Sequence, residues 1–119
     1  MSVRNGLYSF VADMEGGKEG HATGIILLRD RRILGGDNYF YYTGSYSEAA
    51  NNRWRGEFIT DQHAQVAGLN LLFGGRSVSC GFTGTYTEAN AELDGTALVG
   101  KRSISFHARL KLQLPDPAR

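Results

Sequence analysis

Apolar and polar positions alternate along most of this chain, and the period is two. The clearest case is residues 102–114, where Ile104, Phe106, Ala108, Leu110, Leu112 and Leu114 alternate with Ser103, Ser105, His107, Arg109, Lys111 and Gln113. Such a period places one set on each face of an extended strand. Residues 53–60 repeat it, with Trp54, Gly56 and Phe58 inward and Arg53, Arg55 and Glu57 in water. Residues 25–28 are a short continuous apolar run, as a buried strand gives. Residues 39–46 hold five aromatics in eight positions, and aromatic side chains pack well on a pleated, half-buried surface.

Taken in order, the pattern predicts strands at 7–14, 21–28, 33–34, 39–46, 53–60, 76–86, 93–99 and 102–114. A glycine-rich polar turn at 15–20 separates the first two, and a basic turn at 29–32 the next two. Gly35, Gly36 and Asp37 read as a tight turn, because glycine reaches positive φ without a Cβ clash. Residues 47–52 read as a hairpin loop and 88–90 as a turn. Residues 61–75 are the least regular part, with room for one helical turn at 62–67. Eight short antiparallel strands without a firm helix fit an up-and-down barrel or a sandwich.

An internal echo supports paired hairpins. Thr43-Gly44-Ser45-Tyr46-Ser47-Glu48-Ala49 recurs forty residues on as Thr83-Gly84-Thr85-Tyr86-Thr87-Glu88-Ala89. Each copy precedes a strand that carries a glycine, Gly56 or Gly95, and glycines inside strands mark sharp bends of the kind a small barrel needs.

Size and composition narrow the picture. A chain of 119 residues forms one domain with one core. Sixteen glycines against two prolines, both in the last five residues, fit many tight turns and uninterrupted ladders. A net charge of +1 gives no electrostatic case for nucleic acid, and no apolar run is long enough to cross a membrane as a helix. Residues 1–5 carry no apolar signal segment, which predicts a cytoplasmic protein. A single cysteine, Cys80, rules out an intrachain disulfide.

Candidate chemistry is sparse. His21, His63 and His107 stand in no metal-ligand spacing, and His107 falls on the polar face of the last strand. Cys80, between Ser79 and Gly81 in a strand, reads as a small buried residue rather than a nucleophile. Asp37 reads as a turn aspartate bonding its own backbone. Asp13, Glu15 and Glu19 follow no metal-loop pattern, and no catalytic constellation or cofactor motif is present. Arg29, Arg31, Arg32, Arg53 and Arg55 form a basic cluster if the second, third and fifth strands are neighbours; otherwise they are a solvated face. Phe40, Tyr42, Trp54, Phe58, Phe82 and Phe106 either fill the interior or line a cavity for a small apolar ligand. An exposed face around Tyr39 and Tyr41 offers a homodimer surface.

Four segments together, Asn5-Gly6-Leu7-Tyr8, Gly24-Ile25-Ile26-Leu27-Leu28, Ile33-Leu34-Gly35-Gly36-Asp37 and Tyr42-Thr43-Gly44, resemble the GrlR family. The resemblance is best over residues 5–46 and continues more loosely through Thr83-Gly84 and the last strand. It implies an all-β, eight-stranded, lipocalin-like up-and-down barrel, a homodimer, and no enzymatic activity or cofactor. It also implies regulation by protein contact. The family takes its name from a negative regulator of type III secretion gene expression in enteric pathogens, which sequesters a transcriptional activator through a surface loop of alternating Glu and Asp. The corresponding segment here is Ser47, Glu48, Ala49, Ala50, Asn51 and Asn52, in which Glu48 alone is acidic. The leading expectation is therefore a single-domain, cytoplasmic interaction protein that contacts a transcriptional regulator without touching nucleic acid or membrane. The alternative is a carrier of a small apolar ligand.

Overall fold

In the computed structural model, which describes residues 2–14, 21–64, 77–99 and 101–116, the chain is a closed eight-stranded antiparallel barrel. The strands are β1 (Gly6–Met14), β2 (His21–Arg29), β3 (Arg32–Gly36), β4 (Phe40–Ala49), β5 (Arg53–Gln62), β6 (Val78–Tyr86), β7 (Asn90–Val99) and β8 (Arg102–Pro115). Each pairs with its sequence neighbours, and β1 pairs with β8 to close the sheet, so among the described residues no strand has an open edge. The architecture is the lipocalin-like up-and-down barrel, not the sandwich.

Inward and outward positions follow the two-residue period. Along β4 the inward set is Phe40, Tyr42, Gly44, Tyr46 and Glu48; along β5 it is Trp54, Gly56, Phe58 and Thr60. Along β6, Val78, Cys80, Phe82 and Tyr86 are buried while Ser79, Gly81, Thr83 and Thr85 are exposed. Helical burial would need a period near 3.6, and none of these segments has it.

Two turns differ from the sequence reading. Gly35 and Gly36 do not turn. They lie inside β3, paired with Ile26 and Ile25, and neither has positive φ. Gly35 is glycine because a Cβ there would come within 2.5 Å of the Ile25 carbonyl oxygen. The tight turn that needs positive φ is one hairpin earlier, at Asp30 and Arg31 (φ 50° and 69°), the mirror-image conformation that matches strand twist. Asn5 holds it from outside: its side chain accepts from the Asp30 amide at 3.0 Å and donates to the Asp30 carboxylate at 3.1 Å. The reversal after β3 is made by Asp37, whose Oδ1 accepts from the amides of Tyr39 and Phe40, both at 2.9 Å.

The loop read at 47–52 is shorter than expected, because Ser47, Glu48 and Ala49 belong to β4, opposite Arg55, Trp54 and Arg53. Ala50, Asn51 and Asn52 alone make the turn, with Asn51 and Asn52 at φ 64° and 57°. Asparagine tolerates that region better than most residues. The alternation of β8 also stops short of Leu114. The register with β1 shifts between Leu7 and Tyr8, so Tyr8 faces Leu112 while Leu7 faces Leu114. One extra residue, Gln113, turns Leu114 outward, where it is 62% exposed. The 62–67 helical turn falls partly outside the described residues; Asp61 and Gln62 continue β5.

Inward glycines recur at the same depth as large neighbours. A Cβ on Gly44 would sit 2.1 Å from the Glu57 carbonyl oxygen and 2.6 Å from the Phe58 Cα, and one on Gly84 would sit 1.8 Å from the Glu92 carbonyl oxygen. These two residues are the matching glycines of the internal echo, and each is followed two positions later by a buried tyrosine, Tyr46 or Tyr86. The echo thus repeats one packing device, although the second copy leaves its strand at Tyr86 and the first continues to Ala49.

Gly84→Ala is expected to lower the unfolding free energy by roughly 1–3 kcal/mol or more, because backbone has to move to admit the methyl. Gly81→Ala, with nothing within 4 Å of its Cβ position, is expected to change stability by no more than about 0.5 kcal/mol. Urea unfolding of the two variants side by side checks this; equal losses would contradict the packing account.

Candidate functional site

The barrel interior is filled at one end and hollow toward the other. The filled end carries Trp54, Tyr8 and Leu28, the large side chains most completely withdrawn from water. Val3, ahead of β1, is also buried there, and its amide donates to Glu48 Oε2 at 2.8 Å. The Tyr8 hydroxyl donates to the Arg4 carbonyl at 2.7 Å, and the Trp54 indole N–H to the Glu92 carbonyl at 3.0 Å. Arg31 Nε completes the group by donating to Glu48 Oε1 at 3.2 Å. These bonds satisfy the polar atoms that the N-terminal segment buries as it closes that end.

Beyond Trp54 the interior opens into a cavity of about 390 Å³. Its wall is a chain of aromatic rings. Phe10 meets Tyr42 at 5.7 Å between centroids, Tyr42 meets Phe58 at 6.0 Å, and Phe58 meets Phe82 and Phe106 at 6.2 Å each. Most of these contacts are edge-to-face, each worth roughly 0.5–1.5 kcal/mol beyond burial. The rings do not cross the lumen because they lie over glycines of the neighbouring strand. A Cβ on Gly24 would meet Phe10 Cε2 at 2.7 Å, one on Gly56 would meet Phe82 Cζ at 2.9 Å, and one on Gly95 would meet Phe106 Cζ at 2.4 Å.

Polar groups gather at the β3–β4 end of the cavity, where Asp37, Asn38 and Tyr39 line it; Thr60, buried, and Cys80 lie on its wall. The Tyr42 hydroxyl donates a hydrogen bond to Asp37 Oδ2. The turn is clasped from β5 by His63, whose amide donates to the Tyr39 carbonyl at 2.8 Å and whose ring Nε2 lies 2.9 Å from the Asp37 carbonyl.

Burial sets the acid–base character of the interior. It raises Tyr42 well above the ordinary tyrosine value, with the hydrogen bond to Asp37 and that carboxylate's charge adding to the effect. Burial pushes the Cys80 thiol up to about 12, so the sulfur stays protonated and is a poor nucleophile at neutral pH. Tyr46 is pushed up to about 12 by burial, and Tyr8 is raised for the same reason. Among the described residues no three His, Cys, Asp or Glu side chains group as metal ligands.

All six aromatics singled out in the sequence, Phe40, Tyr42, Trp54, Phe58, Phe82 and Phe106, line this cavity. Sequence reasoning missed Phe10 and Thr60; both sit on the inward set of their strands, which is the signal that finds them. Asp37 has a further role beside its turn, through Tyr42. Residues 47–52 are elsewhere: their carboxylate, Glu48, is half-buried and engaged with Val3 and Arg31. The basic residues do not assemble as one cluster, because β4 separates β3 from β5; Arg29 pairs with Asp116 at 3.3 Å and Arg31 with Glu48. His107 lies on the outer face against Asp94 at 2.8 Å.

That outer face carries a second feature. Leu7, Leu27, Leu34, Thr43 and Ile59 are successive cross-strand partners from β1 to β5, and Ser9, Ile25, Gly36 and Tyr41 form the next row. The first row contains no charge, the second runs into Asp61 on β5, and Ile25, Leu34, Tyr41 and Ile59 are exposed.

Comparison with protein-family models and with curated proteins finds no match. Fold and interior place the protein among small lipocalin-like barrels, closed at one end by their own side chains and hollow toward the other.

The buried tyrosines set an alkaline limit. Tyr46 keeps its proton in the folded chain up to about 12 and loses it near 10 when unfolded. The folded state therefore binds more protons between those values, and stability falls as pH rises through that window. Thermal unfolding followed from pH 9 to about 12 is expected to show the midpoint dropping as tyrosinate absorbance appears; a flat midpoint would contradict the burial described.

Proposed function

We propose that the protein is a non-enzymatic barrel that binds a small, largely apolar ligand in its interior. The observation that carries this reading is the cavity of about 390 Å³ lined by Phe10, Tyr42, Phe58 and Phe106 with Asp37 and Asn38 at one end. Small-molecule sites are concave, mostly apolar and fitted with a few polar groups that fix orientation, and their volumes begin at about 300 Å³. Burial of an apolar ligand there contributes about 0.8 kcal/mol per methylene removed from water. The raised Cys80 thiol and the absence of a histidine among the described lining residues favour binding over catalysis.

The test is a fluorescence titration with a neutral apolar dye, N-phenylnaphthylamine. Saturable one-to-one binding is expected. Gly95→Ala is expected to weaken it roughly tenfold. Its methyl takes the place of the Phe106 ring edge, and the ring swings into the cavity. Dye binding that is absent, or unchanged in Gly95→Ala with the ring displaced, would overturn the reading.

A second reading is favoured by the outer face of β1–β5. Exposed apolar residues on adjoining strands suit a protein contact, and a homodimer built on them agrees with the GrlR-like resemblance. In this reading the protein is a cytoplasmic regulator that acts on a transcriptional regulator by contact. Glu48 is then structural, and the activator-binding segment of the GrlR family has no equivalent charge pattern at Ser47 to Asn52. Sedimentation of the purified protein at micromolar concentration is expected to give a dimer, and Leu34→Glu a monomer with the same circular dichroism. A native monomer would contradict this second reading without touching the first.

A further inference from the structure

The chamber has a charge preference written into its polar end. Among the described residues that line it, Asp37 supplies the only carboxylate, and no Lys, Arg or His joins it. The hydrogen-bond donors around that carboxylate are already used. The amides of Tyr39 and Phe40 go to Oδ1, the Tyr42 hydroxyl goes to Oδ2, and the His63 ring Nε2–H goes to the Asp37 carbonyl. What remains toward the cavity is acceptor capacity: three of the roughly four hydrogen bonds a carboxylate takes are already made, which leaves about one on Oδ2, and the Tyr42 phenolic oxygen adds its own. The Asn38 carboxamide, exposed at the same end, can serve as donor or acceptor. No buried side-chain nitrogen or oxygen among the described residues is left without a partner, so the Asn38 carboxamide is the side-chain donor open to a ligand at this end.

The walls add to the same preference. Tyr39, Phe40, Tyr42 and Phe58 line the cavity with Asp37, and aromatic faces attract cations through their quadrupole. An anionic head in this place would lose water beside a like charge, with no Lys or Arg among the described lining residues to compensate, which disfavours it. With a net charge of +1, the chain as a whole does not impose the opposite bias on a ligand.

We propose that the chamber selects amphiphiles by the charge of the head group, seating an organic ammonium at Asp37 with its apolar tail among Phe10, Phe58 and Phe106, and discriminating against a carboxylate of the same chain length. This rests on the ligand-chamber reading and names the class of ligand for it. An uncharged alcohol, which can donate one hydrogen bond to Asp37 but brings no charge, falls between the two.

The experiment is competition of decylammonium, decanol and decanoate, at monomeric concentrations, against bound N-phenylnaphthylamine. The expected order is decylammonium, decanol, decanoate, with at least about tenfold between the first and last. Asp37→Asn keeps an acceptor for the turn amides and removes the charge, and is expected to bring the three within about threefold of each other. Asn38→Lys, at an exposed position that leaves the turn bonds in place, is expected to lower the ammonium-to-carboxylate ratio in the same direction should Asp37→Asn fail to fold. Decanoate binding as tightly as decylammonium, or a ratio unmoved by both variants, would overturn the charge preference while leaving the chamber intact. Dye binding with displacement by none of the three would overturn it too, and failure of the dye itself to bind removes the chamber reading on which it rests.

Discussion

Closing eight strands around so few residues depends on one steric arrangement: an inward glycine on one strand opposite a large inward residue on the next. It recurs from β2 to β7. Gly24 faces Phe10, Gly35 faces Ile26 and Tyr42, Gly44 faces Ile33 and Phe58, Gly56 faces Tyr46 and Phe82, Gly84 faces Trp54 and Leu93, and Gly95 faces Phe82 and Phe106. Without a Cβ, the strand bends close against its neighbour, and the sheet coils tightly enough to meet itself at β1 and β8. The small side chain of one strand is filled by the large one of the next, so packing density and curvature are obtained together.

The same arrangement explains why the interior is uneven. Where the large partners are Trp54, Tyr46 and Leu28, backed by Tyr8, Val3 and the Glu48 network, they pack together and fill the lumen. Where the partners are Phe10, Phe82 and Phe106 over Gly24, Gly56 and Gly95, the rings are drawn to the wall and leave space between them. A barrel built this way has one filled end and one hollow end, with the Asp37 turn beside the latter. The functional proposal follows from that division, since an apolar chamber with acceptor groups at one end binds, orients and discriminates without chemistry of its own.

Much of this was legible in the sequence. Trp54, Gly56 and Phe58 alternate with charges, so the inner face of β5 is read directly, and the aromatics of β4 with Phe82 and Phe106 are identified correctly as lining. The errors have physical causes. Gly35 and Gly36 look like a turn because glycine permits positive φ, but their reason is close approach to β2, which depends on a partner strand that local sequence does not reveal. Asp30 and Arg31, without glycine, look like an ordinary polar turn, yet they adopt the positive-φ hairpin because Asn5 supports it from a distance in sequence. Leu114 fits the β8 alternation and still points outward, because a one-residue register shift is set by pairing with β1. Whether the interior is filled or hollow was not legible at all: it depends on where rings lean, and that is decided by glycines on the neighbouring strands.

The central claim, that rings held over glycines keep a binding chamber open, is tested most directly by a crystal structure of the protein grown with N-phenylnaphthylamine. The account predicts dye density inside the barrel, between Phe10, Tyr42, Phe58 and Phe106, with those rings still against the wall and the Asp37 turn unchanged. A lumen closed by inward-turned rings, with the dye on the outer face or absent, would contradict it.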